Sequence, residues 1–120
     1  PLAELTAQED IGVINYYSLA AGFLTGKYRS KAETEGVARS YRVGDYVNAR
    51  GLAILGVMDT IAAETGAKLA DIALAWLLAK KSVTAPIASA TSLSQLESFK
   101  RAVDLKLTDD MVTLLDKAGA

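Results

Sequence analysis

The 120-residue sequence contains neither cysteine nor histidine. The first absence excludes disulfides, thiol nucleophiles and Cys-ligated zinc or iron–sulfur sites. The second removes the commonest general base near neutral pH, every Ser-His or Cys-His couple, and imidazole metal sites. A strong charge of one sign is also missing: thirteen Lys and Arg face fourteen Asp and Glu, a formal charge of −1. Such a balance supplies no field for nucleic acid or an anionic membrane. The longest fully apolar run, Ile72 to Ala79, falls short of the roughly 20 residues of a spanning helix. Neither a Walker loop nor a GxGxxG is present, so both common phosphate fingerprints are absent. No signal-peptide pattern follows Pro1, and the expectation is a cytoplasmic chain. Its start reads as a cut made by processing, proteolysis or design.

What is present is an ordinary globular mixture, 51% hydrophobic and 22% charged, at the size of one domain. Pro1 to Gln8 has the spacing of an amphipathic helix tail. Ile11 to Tyr16 is a nearly continuous apolar, β-branched and aromatic run, which predicts a parallel strand covered on both faces. A glycine-punctuated stretch follows, Ala21 to Tyr28. From Arg29 to Tyr46 the apolar period is lost, and the spacing predicts a long loop. Lys27 to Arg50 holds six basic and three acidic residues, a local surplus of three positive charges.

Helical spacing returns with Leu52, Leu55, Met58, Ile61 and Ala62, and Thr65-Gly66 reads as its C-terminal cap. Asp71 to Lys80 is apolar nearly all round, the mark of a helix buried on several sides. Val83 to Ala88 is a second short strand candidate, provided that Pro86 sits at a strand end. Ser92 and Gln95 have capping-box spacing for a helix to about Ala102. Thr108 reads as the N-cap of a last helix, with Asp109 and Asp110 complementing its dipole and Leu107 stapling to Val112. The order is α/β alternation with only two visible strands, too few for a free-standing sheet.

Two segments carry candidate chemistry, each with an open alternative. Tyr16 to Tyr28 (YYSLAAGFLTGKY) lies where a strand ends, and its small residues let backbone N–H groups approach an anion beside Lys27. It also reads as a Gly-rich turn followed by a surface lysine. Pro86 to Gln95 (PIASATSLSQ) places hydroxyls at a helix N-terminus, an anion site or simply a capped helix. The acidic pairs Glu33/Glu35 and Asp109/Asp110 lie in a polar loop and a first helical turn, poor settings for catalytic carboxylates.

Taken together, the ordered motifs resemble the carboxy-terminal part of an aldo-keto reductase. The similar branch includes the potassium-channel β subunits and related bacterial reductases. The family's segment Y-S-P-L-A-x-G-F-L-T-G-K-Y is matched by Tyr16 to Tyr28. Its P-I-x-x-A-x-x-x-x-Q-L is matched by Pro86 to Leu96, A-L-A-W by Ala73 to Trp76, and its closing helix by Leu107 to Asp116. The resemblance covers nearly all of residues 1–120 and implies a single segment, the last two βα units of a (β/α)8 TIM barrel. Such barrels take about 250 residues, so the barrel is incomplete in this chain.

The resemblance also implies an NADPH-dependent reduction of an aldehyde or ketone, with NADP as cofactor. Tyr16 would stack on the nicotinamide, and Tyr17, Leu19, Ala20 and Ala21 would line the pyrophosphate path. Thr25 and Lys27 would bind its oxygens, while Ser89, Thr91 and Gln95 would hold the adenosine 2′-phosphate and ribose. Arg39 or Arg42 is a further candidate for the 2′-phosphate. Ser18 replaces the family's proline, and Ser98 and Phe99 stand where relatives often carry Glu-Asn for the adenine. The family's Asp, Tyr, Lys and His catalytic group lies on earlier strands, so no catalytic residue and no metal site is assigned here. Two alternatives remain, a cofactor-sensing regulatory subunit of the channel-β type and an inactive stable fragment. Expected partners are a carbonyl substrate and the rest of the barrel, failing which the segment self-associates; nucleic acid and membrane are not expected.

Overall fold

The computed structural model describes residues 1–37 and 40–120. Helix α1 (Leu2–Gln8) leads into strand β1 (Ile14–Asn15), a tight helical segment at Ala20–Thr25, and a single turn at Ala32–Thr34. Helices α2 (Ser40–Tyr46), α3 (Ala49–Thr65) and α4 (Leu69–Leu78) follow, then strand β2 (Ala85–Pro86) and helices α5 (Leu93–Asp104) and α6 (Asp109–Gly119). The two strands are parallel, with Ile14 opposite Ala85 and Asn15 opposite Pro86. Pro86 ends its strand, where its missing N–H costs the ladder nothing.

The strands are shorter than the apolar runs that predict them. Backbone pairing is confined to the neighbourhood of Val13–Asn15 and Thr84–Ile87. Nor is β1 covered on both faces: Ile11 and Ile14 are 55% and 64% exposed. A nearly continuous apolar strand needs neighbours on both sides and layers above and below. Among the described residues it has one partner strand.

The predicted long loop is also corrected. Residues 40–46 form α2, which buries Val43, and Val47 just beyond its end is buried as well. Charged neighbours hide these two apolar anchors in the sequence. The core itself is gathered by the helices: Phe23, Val43, Val47, Leu55, Met58, Ile61, Ile72, Ala73 and Leu115 form one cluster. Helix α3 supplies Leu55, Met58 and Ile61 to it, whereas Leu52, aligned with them in sequence, is 41% exposed. Gly51 is buried in its place, because a Cβ there would stand 1.9 Å from the Tyr46 carbonyl oxygen. Gly66 caps α3 in the left-handed conformation, and Thr108 caps α6 by accepting from the Met111 N–H at 3.2 Å. Leu107 and Met111 both pack on the core.

Candidate functional site

The carboxyl ends of β1 and β2 open on one cavity of about 830 Å³. A hydrogen bond from the Ile87 N–H to the Asn15 carbonyl, 3.1 Å, fixes the two strand ends side by side. From that point the chain after β1 builds one wall and the chain after β2 the opposite one. Such a volume is within the range of small-molecule and cofactor sites.

The first wall is a strained piece of backbone. Tyr17, Ala20 and Ala21 all have positive φ, at 57°, 49° and 57°. Each left-handed non-glycine residue costs roughly 1–2 kcal/mol. Such strain concentrates at binding sites and persists only where surrounding packing imposes it. Here Phe23, 1% exposed, pins the segment to the core and stacks on Tyr46 at 5.8 Å. The Ser18 hydroxyl donates to the Asn15 carbonyl at 3.3 Å, and that of Thr25 to the Gly22 carbonyl at 2.6 Å. Gly26 then turns the chain at φ 77°, a left-handed conformation that disfavours any side chain, with the Leu69 Cδ2 methyl 2.7 Å from where a Cβ would stand. Beyond it, Arg29 forks onto Asp59 of α3 at 2.8 and 2.9 Å and donates to the Gly26 carbonyl, which holds down the turn carrying Lys27.

The second wall is the β2–α5 junction. Ser92 caps α5 by accepting from the Gln95 N–H at 3.2 Å. The reciprocal half of the expected capping box is displaced by one residue. Gln95 Oε1 accepts from the N–H of Thr91, at 2.7 Å, and from its hydroxyl. Further along α5, the Ser98 hydroxyl donates to Asp71 Oδ1 and Arg101 Nε to Asp71 Oδ2, the latter at 2.9 Å. Asp71 is 1% exposed at the start of α4 and also accepts from the Lys68 N–H at 3.3 Å. Burial pushes its carboxyl up, but Arg101, Ser98 and the Lys68 N–H together hold it below the usual carboxylate range. This buried carboxylate therefore fixes α5 against α4.

Of the residues singled out in the sequence, Tyr16, Tyr17, Leu19, Ala21, Thr25, Lys27, Ser89 and Gln95 line the cavity. Ala20 and Thr91 are not in the lining: Ala20 packs on the core, and Thr91 is tied to Gln95. Arg42 lines it from α2, with its guanidinium 5.0 Å from the Tyr17 ring centroid and 5.3 Å from that of Tyr41. Arg39 lies outside the described residues. Lys68, Tyr41 and Arg101 also reach the cavity, and sequence reasoning missed all three. Lone Asp71 in an otherwise apolar helix was the available signal, since a buried carboxylate demands a cationic partner. Nothing local identifies that partner thirty residues away.

The cavity's charge is one-sided. Lys27, Arg42, Lys68 and Arg101 line it, and no Asp or Glu does so among the described residues. In a chain of net charge −1 this is a segregated cationic surface, suited to a polyanion. The described residues contain no group of three potential metal ligands and no helix long and apolar enough to cross a membrane.

The aldo/keto reductase family model matches residues 1–120. An oxidoreductase of Mycobacterium tuberculosis is 38% identical over 109 residues, covering 90% of this chain and 32% of the relative. The L-glyceraldehyde 3-phosphate reductase of Escherichia coli K12 is 30% identical over 113 residues, 86% of this chain and 32% of that protein. A probable voltage-gated potassium channel subunit beta of Arabidopsis thaliana is 31% identical over 108 residues, 84% and 32% of the two chains. The chain thus spans about a third of the length of the curated relatives it matches. With the strand-end cavity and the match along its whole length, the chain belongs to the aldo/keto reductase family.

Proposed function

We propose that this segment is the last two βα units of a (β/α)8 barrel and supplies the NADPH grip of an aldehyde or ketone reductase. One observation carries the reading. Two segments seventy residues apart, both at strand carboxyl ends, converge on a cavity with four cationic side chains and no carboxylate among the described residues. The carboxyl ends of the strands are where barrels of this kind bind ligands. The donor set suits a dinucleotide phosphate. Lys27 and the backbone of Leu19, Ala21, Gly22 and Thr25 face the pyrophosphate, and Tyr16 offers a 74% exposed ring for the nicotinamide. Arg42, Ser89 and Gln95 hold the 2′-phosphate and ribose, where a guanidinium fork matches phosphate geometry. Bound there, the cofactor supplies the hydride, and these residues orient it and neutralise its charge.

The chain has no histidine, and none of its tyrosines stands in the family's catalytic context, so the proton donor belongs to the remainder of the barrel. The full-length protein should therefore oxidise NADPH with 4-nitrobenzaldehyde, while residues 1–120 alone should not exceed buffer background. Turnover by the isolated segment would overturn the division of labour. A second reading, a regulatory subunit whose bound cofactor is sensed by a partner, is favoured by the similarity to a channel β subunit. A full-length protein that binds NADPH yet reduces no carbonyl compound would support it.

A further inference from the structure

We propose that Asp59, which lies outside the cavity on α3, is a positioning residue for the dinucleotide phosphates: through Arg29 it holds the turn that presents Lys27. This rests on the dinucleotide reading above. Lys27 lines the cavity, whereas neither Arg29 nor Asp59 does. The lysine is exposed, and its flexible four-carbon stem has no fixed direction of its own. Where its ammonium stands therefore depends on the backbone that carries it. Upstream, that backbone is anchored at Gly26, whose N–H donates to the carbonyl of buried Phe23 at 3.1 Å. Downstream, it is anchored by Arg29.

Arg29 uses its whole guanidinium as a bridge. Nη1 and Nη2 donate to the two Asp59 carboxylate oxygens at 2.8 and 2.9 Å, and Nε donates to the Gly26 carbonyl at 3.1 Å. A fork of this kind fixes orientation as well as distance. Gly26 leaves room for it, since a Cβ there would stand 3.0 Å from Arg29 Nη2. Glu33 holds the same residue by its backbone, accepting from the Arg29 N–H at 2.7 Å and from the Ser30 N–H at 2.8 Å. The hydrogen bonds from Arg29 also keep the Asp59 carboxyl below the usual carboxylate range, so the fork stays charged. Exposed ion pairs contribute little to global stability. With side chains 41% and 49% exposed, this pair acts locally, on the geometry of residues 26–29. Removing Asp59 frees Arg29 from α3, and ordering Lys27 on the phosphates then costs more on binding.

The test is a double-mutant cycle on the full-length protein, with NADPH dissociation constants read by calorimetric titration. Asp59→Ala should weaken NADPH about fivefold, and Asp59→Glu, which keeps the carboxylate, should stay within about twofold of the unsubstituted protein. Lys27→Ala combined with Asp59→Ala should be no more than about twofold weaker than Lys27→Ala alone, because Asp59 acts through that lysine. The melting temperature of Asp59→Ala should stay within about 3 °C of the unsubstituted protein's. A larger fall, or a loss with Asp59→Glu equal to that with Asp59→Ala, overturns the positioning role. An unchanged constant for Asp59→Ala, while Lys27→Ala weakens NADPH, overturns it and leaves the cofactor reading standing. So does a double variant about fiftyfold weaker than the unsubstituted protein, the product of two independent losses. Failure of the unsubstituted protein to bind NADPH overturns the cofactor reading itself.

Discussion

Replacing Gly51 by alanine should destabilise this protein, although the same exchange in a helix interior normally stabilises. Gly51 sits near the start of α3, and a Cβ there would lie 1.9 Å from the Tyr46 carbonyl oxygen and 2.9 Å from Phe23 Cζ. Ordinary contact begins near 3.4 Å, so the end of α2 must retreat by about 1.5 Å. The obstacle is backbone, which cannot swing aside as a side chain can. Overpacking of this kind costs up to about 3 kcal/mol. Better helix propensity returns no more than about 1 kcal/mol. The net loss is therefore about 2 kcal/mol, or roughly 8 °C in melting temperature for a domain of this size. Gly56 provides the control within the same helix, because nothing lies within 4 Å of its Cβ position. Gly56→Ala should raise stability by about 0.5–1 kcal/mol. Thermal unfolding followed by near-ultraviolet circular dichroism, at one protein concentration, reads both. Because Tyr46 stacks on Phe23, Gly51→Ala should also loosen residues 20–25 and weaken NADPH, whereas Gly56→Ala should leave it unchanged. Equal and positive shifts for the two variants would refute the packing argument.

Lys27→Ala in the full-length protein should weaken NADPH about tenfold, the loss of one charge-assisted contact at an exposed position, with little change in turnover at saturating cofactor; an unchanged dissociation constant removes Lys27 from the site. Asp71 has its folded-state pKa lowered, so its contribution is complete above about pH 4, the unfolded value, and is lost as the pH falls through the folded one. Asp71→Asn should accordingly flatten the acid side of the stability profile below about pH 4, and an unchanged acid limb counts against the buried network. The isolated 120-residue chain should self-associate, since Leu2, Ile14 and Leu93 are 74%, 64% and 79% exposed and its two-stranded sheet leaves the outer edge of each strand unpaired among the described residues. Sedimentation at several concentrations checks this, and a concentration-independent monomer would contradict it.

Helices α3 to α6 were legible because spacing and caps agree: three core residues of α3 fall three apart, and Gly66, Ser92 and Thr108 occupy the termini predicted for them. The strand positions were legible but not their lengths, since pairing depends on neighbours that composition does not reveal. Helix α2 escaped because its one buried residue, Val43, stands among charged and glycine residues and leaves no apolar period to read. The two cavity walls could be identified from Tyr16–Tyr28 and Pro86–Gln95, since small residues and hydroxyls cluster at strand ends. Two of the four cavity cations, Lys27 and Arg42, were legible as anion-binding candidates. Lys68 and Arg101 were not, because they sit beside Asp71, whose partners are set by how α4 and α5 pack.

If residues following β1 and residues following β2 hold one dinucleotide between them, both must be protected when it binds. Hydrogen–deuterium exchange of the full-length protein with and without NADPH reads this. NADPH should slow exchange together in residues 16–28 and 87–99, with residues 105–120 unchanged. Protection in only one of the two segments, or in neither while NADPH binds, would contradict it.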